Sequence, residues 1–166
     1  MKRLTEPTRL TLYVDGSCDG NQNVDAATRA GWGVVVVQGD SGLGRGSGEI
    51  LEEFSGPVST SSDDEDFIGA EVGSNNTAEL SGLFAALRWL LTEGQDDAVR
   101  IRLDSQYAGN IATGTWRAKA NRQLAARVQS VWSEVAQQRK LDWDHVRAHR
   151  GHRWNERADH LAKRAM

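Results

Sequence analysis

Four acidic residues in this chain sit where carboxylates do nothing for a core. Asp15 closes an apolar run in "LTLYVDGSCDGN", and Asp104 closes another in "AVRIRLDSQY". Glu79 comes one residue before Leu80 in "NNTAEL", beside an apolar helical stripe, and Asp159 falls between Ala158 and Ala162 in "NERADHLA". Open α/β sheets form their sites outside the carboxyl ends of parallel strands, so two strands ending in Asp can set two carboxylates side by side. Acids gathered in this way repel one another and acquire raised pKa values. A divalent cation removes the repulsion, and an all-oxygen donor set suits Mg2+ or Mn2+ better than Zn2+. Two such ions roughly 4 Å apart can activate a water and stabilise the leaving oxygen of a phosphodiester. Taken singly, a strand-end Asp also serves as a turn cap and a first-turn Glu serves the helix dipole. The chemistry requires all four acids in one place.

The elements that would bring them together follow from periodicity. Residues 9–15 alternate as a strand, and 30–38, with Val34 to Val37, are too β-branched for a helix. Four glycines within 40–48 mark a turn region, and "EILEEFSGPV" is a weaker third strand that must end near Pro57. The stretch 59–67 reads as an acidic, flexible insert, and "FIGAEVG" at 67–73 as a short extra strand. A helix begins at residues 75–77, where Asn or Thr caps it and Glu79 lies in its first turn. Its stripe is Leu80, Leu83, Phe84, Leu87, Leu90 and Leu91, and Gly94 stops it. Then come a strand ending at Asp104, a short helix closed by Gly114, a helix with Leu124, Val128, Val131 and Val135 on one face, the strand "LDWDHVRA", and a last helix. The order β-β-β-α-β-α-α-β-α implies three antiparallel strands followed by parallel additions, an α/β mixed sheet flanked by helices.

The chain of 166 residues is expected to form one domain, 1–166, with a short tail at 1–8. A single cysteine, Cys18, excludes an intrachain disulfide. No basic-then-apolar leader and no apolar run of ~18 residues is present, so a cytoplasmic location away from membranes is expected. Net charge is −3, but it is unevenly spread: residues 49–71 hold eight acids and no Lys or Arg, whereas 114–127 hold four basic residues and no acid. Residues 139–164 hold eight Lys/Arg against four acids. An acidic protein can thereby keep a basic face.

The stretches "DGSCDGN", "NNTAEL", "DSQY" and "HRGHRWNERAD" resemble, in that order and over essentially the whole chain, type 1 ribonuclease H. The resemblance implies a ribonuclease H-like fold with a five-stranded mixed sheet. It also implies a set of Asp15, Glu79, Asp104 and Asp159 holding two Mg2+, with Mn2+ as substitute. Its implied reaction is hydrolysis of the RNA strand of RNA–DNA hybrids, leaving 5′-phosphate and 3′-hydroxyl ends. By position, His149 matches a mobile-loop histidine used in proton transfer or product release, with His152 as the neighbouring alternative. Asn21, Asn75, Asn76 and Gln106 match positions that reach the minor groove, where a 2′-hydroxyl distinguishes RNA from DNA. Trp116 matches an aromatic lying against the DNA strand, while Trp32, Trp89, Trp132, Trp143 and Trp154 read as core or partial core. His145 and His160 read as structural.

The chain departs from that pattern in three ways. A lysine-rich protrusion after the "TW" helix is reduced to "RAKANRQ", the segment 49–73 is longer and acidic, and only eight residues precede strand one, so no separate hybrid-binding module is expected. An integrase-like reading would put Glu on the last helix, where this chain has Asp159. An exonuclease of the Asp-Glu-Asp-Asp type would carry Asp-x-Glu on strand one, where Gly16 and Ser17 follow Asp15. A catalytically weak domain of a reverse transcriptase polyprotein is the remaining alternative. The expected partner is an RNA–DNA hybrid, bound by a monomer.

Overall fold

The computed structural model describes residues 9–20, 22–93, 98–148 and 150–166. Its elements are β1 (Leu10–Cys18), β2 (Ala30–Gln38), β3 (Glu49–Pro57), α1 (Asn75–Thr92), β4 (Val99–Leu103), α2 (Gln106–Ala112), α3 (Arg122–Gln138), β5 (Leu141–His145) and α4 (Arg153–Arg164). The five strands form one sheet in the order β3-β2-β1-β4-β5. β1 and β2 pair antiparallel, as do β2 and β3, whereas β4 and β5 add in parallel. The mixed sheet with flanking helices expected from the element order is thus the one observed.

Alternation along β1 and β2 sorts their side chains between two cores. Leu10, Leu12, Val14, Val34 and Val36 face the larger core, where Leu80, Leu83, Leu87 and Leu90 of α1 meet Leu124, Val128 and Val135 of α3. Tyr13, Val35 and Val37 face the other way, against Ala158 of α4, with Trp154 and Leu161 at its margin. With helices on both faces, β1 and β2 need apolar residues at odd and even positions alike, which explains the unbroken valine run. β3 is one of the two edge strands, with β5 at the other border: Glu49 and Glu52 are exposed, and a bulge at Leu51 interrupts its pairing with β2.

Two expectations are corrected. The segment 67–73 forms no strand. Glu71 N donates to Asn121 Oδ1 at 2.8 Å, and Gly69, at φ 114°, lies so close to α3 that a Cβ there would come within 2.6 Å of Leu124 N. Packing against α3 therefore replaces a strand ladder. The cap of α1 is Ser74, not a residue of 75–77: Thr77 N donates to the Ser74 hydroxyl and Ser74 N donates to Thr77 Oγ1, closing a capping box. Glu79 consequently falls in the second turn, too far along the helix to serve its dipole. The insert 59–67 runs as turns, tied by the Thr60 hydroxyl to Ala26 O at 2.7 Å. Gly94, the expected stop of α1, lies outside the described residues.

On the α4 face, four distant segments share one buried polar cluster. The Tyr13 hydroxyl donates to Asp40, Arg102 donates to the Tyr13 oxygen at 3.1 Å, and His152 Nε2 lies 3.2 Å from it. Burial, then the Asp40 contact, pushes the Tyr13 hydroxyl well above its ordinary pKa and keeps it a donor. Tyr13→Phe preserves the shape but removes the hydroxyl that donates to Asp40 Oδ2, accepts from Arg102 and meets His152 Nε2, and is expected to destabilise by about 1–3 kcal/mol. A melting temperature equal to that of the wild type would show that the hydroxyl holds nothing together.

Candidate active site

The parallel pairing of β1 with β4 ends at Val14 opposite Leu103. Asp15 and Asp104 are the next residues on each chain, so they emerge together at the carboxyl end of the sheet. β1 itself continues to Cys18 by pairing with β2 alone, three residues further than the alternation in its sequence indicates. Gly16 lets α1 lie directly on this corner: a Cβ there would come within 2.6 Å of both Ala78 Cβ and Glu79 N. On the opposite face Gly33, the pairing partner of Asp15, admits α4, whose Ala158 O would lie 2.5 Å from a Cβ at that position.

These close approaches bring Asp15, Glu79 and Asp104 together, with one carboxylate oxygen of each within 4.8 Å of the others. Asp159 enters the same cleft, of about 320 Å³, from α4. It ion-pairs with Lys163, one helical turn on, at 2.9 Å. Burial, then Asp104 and Glu79, lifts the Asp15 carboxyl to about 9. Burial, then Asp104, lifts Glu79 to about 8. Glu79 Oε2 is buried with no hydrogen-bond partner. An orphaned oxygen amid mutually repelling acids is a poor arrangement for the protein alone and a suitable one for a hard divalent cation, so the donor set fits the group that the sequence implies.

The other expected site residues are dispersed around the cleft. Asn75 lines it. Asn76 and Gln106 are exposed at the starts of α1 and α2. Trp116 is 46% exposed, the only tryptophan among the six so open, and borders a second cleft with Arg117 and Arg122. The other five are buried or partly buried. Asn21 and His149 lie outside the described residues. His152 does not line the acidic cleft: it is buried, and its Nδ1 accepts from Asn155 N at the start of α4. His145 Nε2 donates to Asp104 O at 3.1 Å, while His160 is exposed. Lys163, Asn155 and Ser17 line the cleft and were not singled out from the sequence. The spacing of Lys163, four after Asp159, was the available signal. Among the described residues no helix is long and apolar enough to cross a membrane.

Comparison with known proteins gives a consistent answer. The family described as RNase H matches residues 7–166. A ribonuclease H of Cupriavidus necator is 32% identical over 166 residues, covering 95% of this chain and 94% of that protein. The crystal structure of RNase H1 from the halophilic archaeon Halobacterium salinarum superposes with a TM-score of 0.66 at 27% identity, over 95% of this chain and 96% of that one. The N-terminal RNase H domain of a Mycobacterium tuberculosis protein superposes with a TM-score of 0.67 at 25% identity, over 96% and 94%.

Proposed function

Because this chain belongs to the ribonuclease H family, we propose that it hydrolyses the RNA strand of RNA–DNA hybrids at the acidic cleft, leaving 5′-phosphate and 3′-hydroxyl ends. The observation that carries this reading is the meeting of Asp15, Glu79 and Asp104, with the orphaned Glu79 oxygen among them. Asp15, Glu79, Asp104 and Asp159 would hold two Mg2+, or Mn2+ in their place. Bound there, such ions supply an activated water and electrostatic stabilisation of the leaving oxygen. Lys163 holds Asp159 in orientation, and the pairing in turn raises the Lys163 pKa, so the ammonium stays charged. The second-turn position of Glu79 aims its carboxylate at Asp15 and not along the helix axis. Asn21, Asn75, Asn76 and Gln106 would read the minor groove, Trp116 would support the DNA strand, and His149 would move a proton or assist product release.

The test is a labelled hybrid incubated with Mg2+ and, separately, Mn2+, with Asp15→Asn as control. Cleavage of hybrid alone is expected; equal cleavage of duplex RNA would remove the reading. A second outcome concerns affinity. Between α2 and the first residue of α3, Arg122, the chain offers only Arg117 and Lys119 as cations. Its Michaelis constant for hybrid is therefore expected to exceed that of a homologue with a lysine-rich protrusion, and to rise more gently with salt.

A further inference from the structure

A strongly basic cleft of about 440 Å³ lies beyond the carboxyl ends of β4 and β5, lined by Arg45, Arg102, Arg147 and Arg150 together with His145 and His152. Charge on the adjoining sheet face is matched residue by residue. Arg100 stands opposite Asp142 and Arg102 opposite Asp144 in the register, and Asp144 ion-pairs with both arginines, at 3.5 and 2.9 Å. Past the strand ends the matching stops. Arg147 and Arg150 on the β5–α4 loop and Arg45 on the β2–β3 loop are exposed, and no carboxylate pairs with them among the described residues. The β2–β3 loop is braced against the start of α4: Arg153 N donates to Arg45 O at 2.9 Å, and Trp154 Nε1 donates to Ser47 O at 2.9 Å. In a chain of net charge −3, three unpaired guanidinium groups converging on one braced cleft are arranged for an external anion.

The position of the cleft points to which anion. Ala148 lines the acidic cleft while Arg147 and Arg150, on the same loop, line the basic one. We infer that the Arg45–Arg147–Arg150 cleft is a second anion site, which grips backbone phosphates of the hybrid to one side of the cleaved bond. The inference rests on the proposed hybrid substrate. Guanidinium groups bind phosphate oxygens in pairs and carry no base information, so the site adds affinity and register without sequence preference.

The test is the triple variant Arg45→Ala/Arg147→Ala/Arg150→Ala beside the corresponding triple lysine variant. Binding of a fluorescent hybrid spanning two helical turns is followed by anisotropy with Ca2+ in place of Mg2+, and cleavage is followed with Mg2+. The alanine triple is expected to bind about tenfold more weakly at low salt, with the log–log salt slope shallower by roughly 2 to 3. Its kcat should be unchanged, and the lysine triple should recover the slope. Unchanged affinity and slope would overturn the inference. So would calorimetric binding of inorganic phosphate that the alanine triple abolishes while hybrid affinity stays the same, since the cleft would then serve a free anion. If the wild-type protein binds hybrid without cleaving it, the nuclease reading fails and the anisotropy arm still decides the cleft.

Discussion

Asp15→Asn is expected to reduce hybrid cleavage by more than about a thousandfold while making the metal-free protein more stable. The two effects share one cause. In the folded chain, burial and the neighbouring Asp104 and Glu79 lift the Asp15 pKa from 3.8 to about 9. Between those values the folded state keeps a proton that the unfolded state has released. The stabilising contribution is therefore complete below the unfolded pKa and is lost as pH rises toward the folded one, at up to about 1.4 kcal/mol per pH unit. Glu79, lifted to about 8, adds to the same trend. Asparagine removes the titration and one source of repulsion. Melting curves in chelator from pH 5 to pH 9 should fall more steeply for the wild type than for the variant, with the gap widest at high pH. Saturating Mg2+ should flatten the wild-type curve and leave the variant nearly unmoved. A variant that melts lower than the wild type throughout would show that the acids do not strain the fold.

Gly16→Ala is expected to act on the same cleft in the opposite sense on stability. The added methyl group would meet the Ala78 side chain and the backbone nitrogen of Glu79, neither of which is the loose end of a long side chain. α1 must shift, and overpacking of this kind destabilises by about 1–3 kcal/mol. The shift also moves Glu79 away from Asp15, and a displacement of about 1 Å at a reacting centre can lower kcat about a hundredfold. Steady-state kinetics should show the loss mainly in kcat, because Gln106 and Trp116, which would also touch the hybrid, lie outside α1. Retention of wild-type kcat would mean that the spacing of the acids tolerates movement of the helix.

The sequence made the site more legible than its supports. Each acid is flagged by its own short stretch, and strand ends and helix stripes are local patterns, so the grouping of Asp15, Glu79, Asp104 and Asp159 is legible in the sequence. The alternation in β1 stops at Asp15 because only there does β4 end; the three further residues depend on β2, a partner that residues 16–18 do not announce. Ser74, Asn75, Asn76 and Thr77 are all capable caps, and which one is used depends on where Gly73 and Gly16 let the helix settle. The strand expected at 67–73 lost to Asn121, fifty residues away from its partner Glu71. The Tyr13–Asp40–Arg102–His152 cluster draws on four segments, and no periodicity in any of them indicates the other three. His152 stands three residues from His149 and so offers itself as a chemical group in the sequence, whereas its burial at the head of α4 gives it an architectural task.

The edge strand β3 carries a consequence for the behaviour of the protein in a crowded solution. An unpaired strand border is a template on which another chain can polymerise, and an identical border is the most readily available recruit. Here that border presents Glu49 and Glu52 to solvent, is kinked at Leu51, and closes with Pro57, whose nitrogen has no hydrogen to donate. Any second copy aligning with it would bring the same negative charges and the same kink, so self-templating is opposed along this border of the sheet.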